Sequence, residues 1–155
     1  MDVRTGIGFD VHPLVPGRML ILGGVTIESD LGLDGHSDAD LLCHAIADAL
    51  LAAAGLGDIG RLFPASDESY LGVSSVELLK ECVKRVTQEG WNLSWVTAVV
   101  NAEVPKLGPY HGQIQSHLEK LLGCGMNLTF KHGEGLDAVG RGMAMRCYAT
   151  ANIYK

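Results

Sequence analysis

The sequence lacks several patterns that mark common classes of protein. Its four cysteines are widely separated and include no C-x-x-C pair: Cys43, Cys82, Cys124 and Cys147. This spacing argues against a thiolate zinc site and a disulfide framework, so we expect reduced thiols in an intracellular protein. Basic residues are outnumbered, with 12 Lys and Arg against 18 Asp and Glu, and they form no basic run. A nucleic-acid partner is therefore not expected.

Long apolar runs are also missing. The longest candidate is interrupted by His44 and Asp48, so no segment reaches the length of a membrane span. The opening residues, MDVRTGIGFDV, do not show the basic segment and apolar stretch of a secretory signal. We therefore expect a cytoplasmic location and no membrane partner.

The chain has 155 residues, 47% of them hydrophobic, with no internal repeat and no low-complexity segment. This is enough to bury one sizeable core, so we expect a single domain over residues 1–155. The segment 56–70 is rich in Gly, Asp, Ser and Pro. Because connections of this length inside a compact domain usually carry function or move, we expect a functional loop there.

Periodicity and turn residues predict an α+β fold. Gly23-Gly24 separates two aliphatic runs and suits a tight hairpin, Gly55 suits the end of a helix, and Ser74-x-x-Glu77 has the form of a capping box. We expect a mixed β-sheet with helices packed on one face and a small β-hairpin extension. The strands are predicted at 7–11, 19–22, 25–28, 91–100, 127–131 and 143–154, and the helices at 39–54, 75–90 and 111–122.

A cluster of acids and imidazoles near the start predicts a metal site. Asp10 and His12 are two apart on a strand and so share one face, while His44 is held on an alanine- and leucine-rich helix. Two imidazoles and one carboxylate can bind a divalent cation and leave a position open, as a catalytic zinc requires. Asp40 and Asp48, one helical turn to either side of His44, are predicted to accept its second ring proton.

The ordinary alternative is that these histidines are polar residues at the ends of helices and strands, as single histidines often are.

Other charged residues lie where glycine or proline allows a ligand close to the backbone: Asp58 near Gly60, Lys106 between prolines, and Glu134 and Arg141 in a glycine-rich turn. We interpret them as parts of a phosphate and nucleotide site. Taken singly, each can instead be a turn former, a solvated side chain or part of a hairpin closure.

Six segments together resemble the 2-C-methyl-D-erythritol 2,4-cyclodiphosphate synthase family. They read GIGFDVH, LILGGVTI, GLDGHSDADLLCHAIADALL, LGDIGRLFP, PKLGPY and EGLDAVGRG, and they run nearly from end to end. The resemblance implies a homotrimer of α+β subunits with active sites between neighbouring subunits. It also implies zinc together with magnesium or manganese, and the release of CMP as a cyclic diphosphate closes. An isoprenoid in the centre of the trimer is a further candidate partner.

The resemblance makes Asp10, His12 and His44 the zinc ligands and leaves the fourth position to a phosphate oxygen. It makes Glu134 the ligand of the second cation, and it makes His36 a catalytic residue that stabilises the transition state. The substrate-binding set has three parts. They are Asp10, His12, His36, Ser37, Asp58, Ile59, Gly60, Phe63 and Asp67 for methylerythritol and its phosphates; Ala102, Pro105, Lys106, Leu107 and Gly108 for cytidine, from the neighbouring subunit; and Lys131, His132, Glu134 and Arg141 around the phosphates.

Two segments depart from the family pattern. Where the family has threonines before its glutamate, this chain reads Lys131-His132-Gly133-Glu134, so we assign the missing hydroxyl's role to His132 or Lys131, with His132 as a second catalytic residue. The loop FPASDE has Ala65 where the family has its first acid and keeps Asp67.

Two other functions stay open at this point. A zinc hydrolase would use the open metal position for water activated by Asp58, although neither H-E-x-x-H nor G-x-S-x-G occurs. A trimeric binding module would have structural zinc and an isoprenoid in its apolar centre.

Overall fold

The computed structural model describes residues 1–155. The strands are β1 (Val3–Pro16), β2 (Leu20–Leu22), β3 (Val25–Ile27), β4 (Leu31–Leu33), β5 (Asn92–Asn101), β6 (Gly125–Lys131) and β7 (Ala144–Tyr154). The helices are α1 (Leu41–Ala54), α2 (Ile59–Leu62), α3 (Ser75–Gln88), α4 (His111–Leu122) and α5 (Asp137–Gly140), with 3-10 turns at Glu68–Tyr70 and Gly108–Tyr110.

Five strands form one sheet in the order β4-β1-β7-β5-β6, and β2 and β3 form a separate two-stranded ribbon. β1 runs antiparallel to β7 and to β4, and β5 is antiparallel to β7 but parallel to β6. The predicted mixed α+β sheet and the hairpin around Gly23-Gly24 are thus confirmed. No helix has both the length and the apolar character that crossing a membrane requires.

Some predicted boundaries are wrong. β1 extends well beyond 7–11, and β4 falls where no strand is predicted, because the three residues LGL are too short to show alternation. The segment 56–70 contains α2 and a 3-10 turn rather than loop alone. Ser74 precedes α3 as predicted, but its side chain makes no capping hydrogen bond. Instead, the Ser75 N–H donates to Asp38 Oδ2 at 3.1 Å.

α1 is the central helix of the core. Eleven of its 14 residues are buried, and it contacts β1, β7, β5 and α3. A helix that is apolar on nearly all sides is stable only when other elements surround it. Its first turn is held by Asp40, whose carboxylate accepts hydrogen bonds from the N–H groups of Cys43 at 3.1 Å, Gly23 at 2.9 Å and Gly24 at 2.7 Å. The start of α1 is therefore fixed to the β2–β3 turn.

β1 lies unusually close to α1. Gly6 and Gly8 are buried and face the helix, and a Cβ at Gly8 would lie 1.9 Å from the Ala45 carbonyl oxygen. A Cβ at Gly6 would lie 2.0 Å from the Ala49 carbonyl oxygen. Because the obstacles are backbone atoms of a helix, a side chain fits at neither position without separating strand and helix.

The opposite face of the sheet is exposed and apolar. On β1, Ile7 is 67% exposed and Phe9 is 48% exposed, and on neighbouring strands Tyr148 is 46% and Trp95 is 45% exposed. The Phe9 and Tyr148 rings contact each other, with centroids 4.9 Å apart. Large apolar side chains exposed together on one face of a sheet are typical of an interaction site.

Replacing Gly8 with alanine should destabilise the protein by at least about 2 kcal/mol, because overpacking against a rigid backbone has a cost of this order. Urea unfolding followed by circular dichroism measures the change. The matched control is Gly112→Ala in α4, where a Cβ meets no atom within 4 Å. We expect that control to be neutral or slightly stabilising, because alanine favours helix. Equal destabilisation of both variants would contradict the close β1–α1 contact.

Candidate metal centre and substrate cavities

Asp10, His12 and His44 form a compact cluster at the end of the β1–α1 contact. Their ligand atoms all lie within 4.8 Å of one another. Asp10 Oδ2 is 3.0 Å from His12 Nε2 and 2.9 Å from His44 Nδ1. The predicted convergence of these three side chains is confirmed, and the group could bind a metal ion.

The orientation of His12 fits a metal ligand. Its Nδ1 lies 2.7 Å from the Asp34 carbonyl oxygen, which can only accept, so Nδ1 carries the proton. Nε2 then has a free lone pair directed at the cluster. That atom is buried and has no hydrogen-bond partner of suitable geometry. A divalent cation would supply the missing partner, and two imidazole nitrogens with one carboxylate are the donors of many catalytic zinc sites.

The charge state of Asp10 favours binding of a cation by the cluster. Burial opposes ionisation of Asp10, but the adjacent His12 and His44 rings outweigh it and lower its pKa to about 2. Burial also opposes protonation of His12, yet the nearby Asp10 carboxylate raises the pKa of this imidazole above its ordinary value. The carboxylate is therefore ionised at neutral pH, and a metal ion would replace protons as its positive partner.

The predicted carboxylate partners of His44 are wrong. Asp40 caps α1, and Asp48 accepts a hydrogen bond from the Ile59 N–H at 2.8 Å. His44 Nε2 instead faces two hydroxyl groups, with Ser75 Oγ at 2.8 Å and Ser37 Oγ at 3.2 Å. Asp40 is unable to reach the ring because α1 begins only after it and its oxygens are used by the β2–β3 turn.

A cavity of about 180 Å³ adjoins the cluster, and we call it the histidine cavity. Its wall includes seven of the predicted site residues: His12, His36, Ser37, His44, Ile59, Gly60 and Phe63. Four further residues lie outside the prediction: Ala65, Tyr70, Val73 and Leu78. Tyr70 packs edge-on against Phe63, with ring centroids 5.3 Å apart. Spacing alone gives no signal for Tyr70, because it is the folding of the 56–70 segment that brings it to Phe63.

His36 presents an unsatisfied atom to this cavity. Its Nε2 is buried and has no hydrogen-bond partner in the chain. Buried ring nitrogens are normally paired, so an unpaired one at a cavity wall is available to a ligand.

Two other predicted site residues, both aspartates, lie outside the histidine cavity. Asp58 caps α2 through the Arg61 N–H and Asp67 accepts from the Ser69 N–H, and neither lines the cavity. Their roles in substrate binding stay predictions.

Most of the predicted nucleotide and phosphate residues line two separate depressions. One, the Lys106 cavity, has a volume of about 310 Å³ and is lined by Ala102, Pro105, Lys106, Leu107, Gly108, Pro109, Phe130, Lys131 and His132. Beside it is the Glu134 groove, which includes Lys131, His132, Glu134 and Arg146. Neither shares a lining residue with the histidine cavity. Arg141 is exposed and lines none of the three.

The loop before Glu134, which departs from the family pattern, is closely packed at Gly133. A Cβ at Gly133 would lie 2.4 Å from Gly140 Cα, so no side chain fits there. The Gly133 N–H donates to Glu103 Oε2 at 2.9 Å, which fixes the loop. Lys131 and His132 are exposed and line the groove, where their side chains are free to meet a ligand.

Relatives match almost the whole chain. A protein of Desulfatibacillum aliphaticivorans, named 2-C-methyl-D-erythritol 2,4-cyclodiphosphate synthase, is 48% identical over 152 residues, covering 95% of this chain and 98% of its own length. A protein of the same name from Laribacter hongkongensis is 52% identical over 145 residues, covering 92% of this chain and 90% of its own.

Solved structures share the fold. A 2C-methyl-D-erythritol-2,4-cyclodiphosphate synthase described as its CDP-bound form has a TM-score of 0.90 and 38% identity, covering 97% of this chain and 100% of its own. The bifunctional IspDF of Campylobacter jejuni has a TM-score of 0.94 and 37% identity over 98% of this chain, which corresponds to 42% of that longer protein. The model of the YgbB family matches residues 3–154, and the chain therefore belongs to the YgbB family.

Proposed function

We infer that the protein converts 4-diphosphocytidyl-2-C-methyl-D-erythritol 2-phosphate to 2-C-methyl-D-erythritol 2,4-cyclodiphosphate and CMP, a step of the non-mevalonate isoprenoid pathway. The observation that carries this conclusion is the Asp10, His12 and His44 cluster beside the histidine cavity, in a chain that matches named synthases over more than nine-tenths of its length. The CDP-bound structural relative agrees with a cytidine substrate.

The reaction joins two anionic ends of one flexible molecule. An oxygen of the 2-phosphate forms a bond to the phosphorus nearer the methylerythritol, and that phosphorus loses the oxygen linking it to CMP. Charge repulsion and the entropy of ring closure both oppose this step. The protein must therefore offset negative charge and hold the two ends of the substrate in line.

Zinc fits the three donors of the cluster, and when bound it would polarise and orient a phosphate oxygen. The Nε2 of His36, which has no partner in the chain, would bind the transferring phosphate, since a ring N–H donates readily to an anionic oxygen. The Phe63 and Tyr70 rings, packed edge to face, offer an apolar wall for the carbon skeleton. His36 and Ser37 would thus act on the phosphate while Ile59 and Gly60 hold the methylerythritol.

The nucleotide end is assigned to the Lys106 cavity. Its backbone and prolines suit a flat base, and Lys106 supplies a cation next to it. Lys131 and His132 would reach the phosphates from the groove, with Arg141 and Glu134 nearby in sequence. Glu134 would hold magnesium or manganese, since hard cations prefer oxygen ligands, and that cation would offset negative charge on the diphosphate.

We further propose a homotrimer in which each site is shared between neighbouring chains. Two observations support it. The histidine cavity and the Lys106 cavity have no lining residue in common, so a substrate that uses both is best served by two chains. The sheet face formed by Ile7, Phe9 and Tyr148 is exposed and apolar, as a subunit interface requires. An isoprenoid would bind where three such faces meet. A cytoplasmic location stays a prediction.

The reaction products separate this function from its rivals. Purified protein given the cytidylyl substrate with zinc and magnesium should yield the cyclic diphosphate and CMP in equal amounts, measured by phosphorus NMR and chromatography. Linear phosphates with CMP would indicate a zinc hydrolase instead. No turnover, with the trimer melting when zinc is chelated, would indicate a binding module whose metal is structural.

Lys106→Ala should weaken binding of CDP by about 10- to 100-fold, since the loss of a charge-assisted hydrogen bond has an effect of this order. Isothermal titration with CDP measures it. Zinc content should not change, because Lys106 does not line the histidine cavity. Lys120→Ala is the matched control, since this exposed lysine on α4 lines neither cavity. Parallel loss of zinc and nucleotide would contradict two separate half-sites.

Phe9→Asp should convert the trimer to monomers, because it places a charge on the exposed apolar face. Sedimentation velocity reports the state, and turnover should fall with it because each active site would lose half of its residues. Leu71→Asp is the control: Leu71 is 68% exposed and is not on the sheet. A wild-type protein that sediments as a monomer and still turns over would overturn the shared site.

A further inference from the structure

His44 is held from the side opposite Asp10 by a second set of polar groups. Ser75, the first residue of α3, is only 1% exposed, and its Oγ lies 2.8 Å from His44 Nε2. The same Oγ contacts Asp38 Oδ1, and the Ser75 N–H donates to Asp38 Oδ2 at 3.1 Å. Asp38, Ser75 and His44 therefore form a chain of buried or half-buried hydrogen bonds that ends at the metal cluster.

Which atom donates in each of these hydrogen bonds follows from which atoms carry a proton. A carboxylate can only accept, and a serine hydroxyl has a single proton to donate. The Ser75 proton therefore goes to Asp38, and Ser75 Oγ, the hydroxyl nearer to the ring, is left to accept from His44 Nε2. The Ser37 hydroxyl, 3.3 Å from Ser75 Oγ, can then donate its own proton to that oxygen. The proton of the neutral imidazole is then on Nε2, and the lone pair is on Nδ1, the nitrogen 2.9 Å from Asp10 Oδ2.

We propose that Asp38 and Ser75 are positioning residues that keep the His44 proton on Nε2 and so present Nδ1 to the metal. The inference rests on the metal site proposed above. A different group fixes the proton of His12. The Asp34 carbonyl oxygen keeps that proton on Nδ1 and leaves Nε2 for the cation. The two rings thus offer opposite nitrogens to one point, and each ring is oriented by an acceptor behind it.

The backbone supports the same assignment. Ala39 has φ of 57°, a left-handed conformation that is unfavourable for a residue with a Cβ. This bend separates two nearby acids, so that Asp38 faces the start of α3 while Asp40 faces the β2–β3 turn. A strained position that persists in a buried segment indicates that contacts on both sides maintain it.

The test is the affinity of the metal-free protein for Zn²⁺ alone, measured by competition with a chromogenic chelator. Ser75→Ala should weaken binding by about 10- to 100-fold, the usual effect of removing a group that orients a ligand. Ser74→Ala is the matched control. This neighbouring residue makes no side-chain capping hydrogen bond, so its removal should leave the affinity unchanged.

Asp38→Asn tests the direction of the chain with almost no change in shape. An amide can place its NH₂ group against Ser75 Oγ, which then donates its proton to His44 Nε2 and moves the imidazole proton to Nδ1. Zinc binding should weaken at least tenfold although every side chain keeps its size. Thermal melting of the metal-free variants checks that they fold.

Wild-type affinity in folded Ser75→Ala or in folded Asp38→Asn would overturn the inference. A third measurement needs no variant. In zinc-loaded wild-type protein labelled with ¹⁵N-histidine, NMR should show His44 bound through Nδ1 with a proton on Nε2, and the reverse assignment would overturn the inference even if both variants fail to fold. A wild-type protein that binds no Zn²⁺ would overturn the metal site itself, which separates the two failures.

Discussion

The distance between β1 and α1 sets the geometry of the cluster formed by Asp10, His12 and His44. Gly6 and Gly8 allow the strand to touch the carbonyl groups of Ala45 and Ala49, and no residue with a side chain would do so. Two residues further along the same face of β1 is Asp10, and on the helix surface next to Ala45 is His44. Strand and helix must approach this closely for Asp10 Oδ2 to come within 2.9 Å of His44 Nδ1. Small residues in the core thus determine the position of the reactive ones.

The segment His36-Ser37-Asp38-Ala39-Asp40 connects this contact to the rest of the molecule. Asp40 fixes the start of α1 to the β2–β3 turn, and Asp38 fixes the start of α3. Between these two anchors, the Ser37 hydroxyl and the His36 ring face the histidine cavity. Both anchors are buried or half-buried carboxylates that accept backbone N–H groups, so the segment is held at both places without being part of a helix or strand. The site therefore combines firm support with groups that are left unpaired for a ligand.

Much of this could be predicted from the sequence. The period-two spacing of Asp10 and His12 and the helical position of His44 gave the cluster correctly, and the hairpin glycines gave the β2–β3 ribbon. The partners of His44 could not be predicted in this way. Local spacing points to Asp40 and Asp48, whereas the nearer of the two hydroxyl partners, Ser75, is 31 residues away in sequence and reaches the ring only through packing of α3 on α1. Tyr70 and Leu78 in the cavity wall were missed for the same reason.

We expect Asp10, His12 and His44 to bind a catalytic zinc ion. Anomalous diffraction at the zinc edge, on crystals of protein purified without added metal, would locate that ion. It should give one peak per chain, in contact with Asp10 Oδ2, His12 Nε2 and His44 Nδ1, with a fourth position open to solvent or phosphate. The absence of a peak there in protein that still forms the cyclic product, or a peak whose four ligands all come from protein side chains, would contradict it.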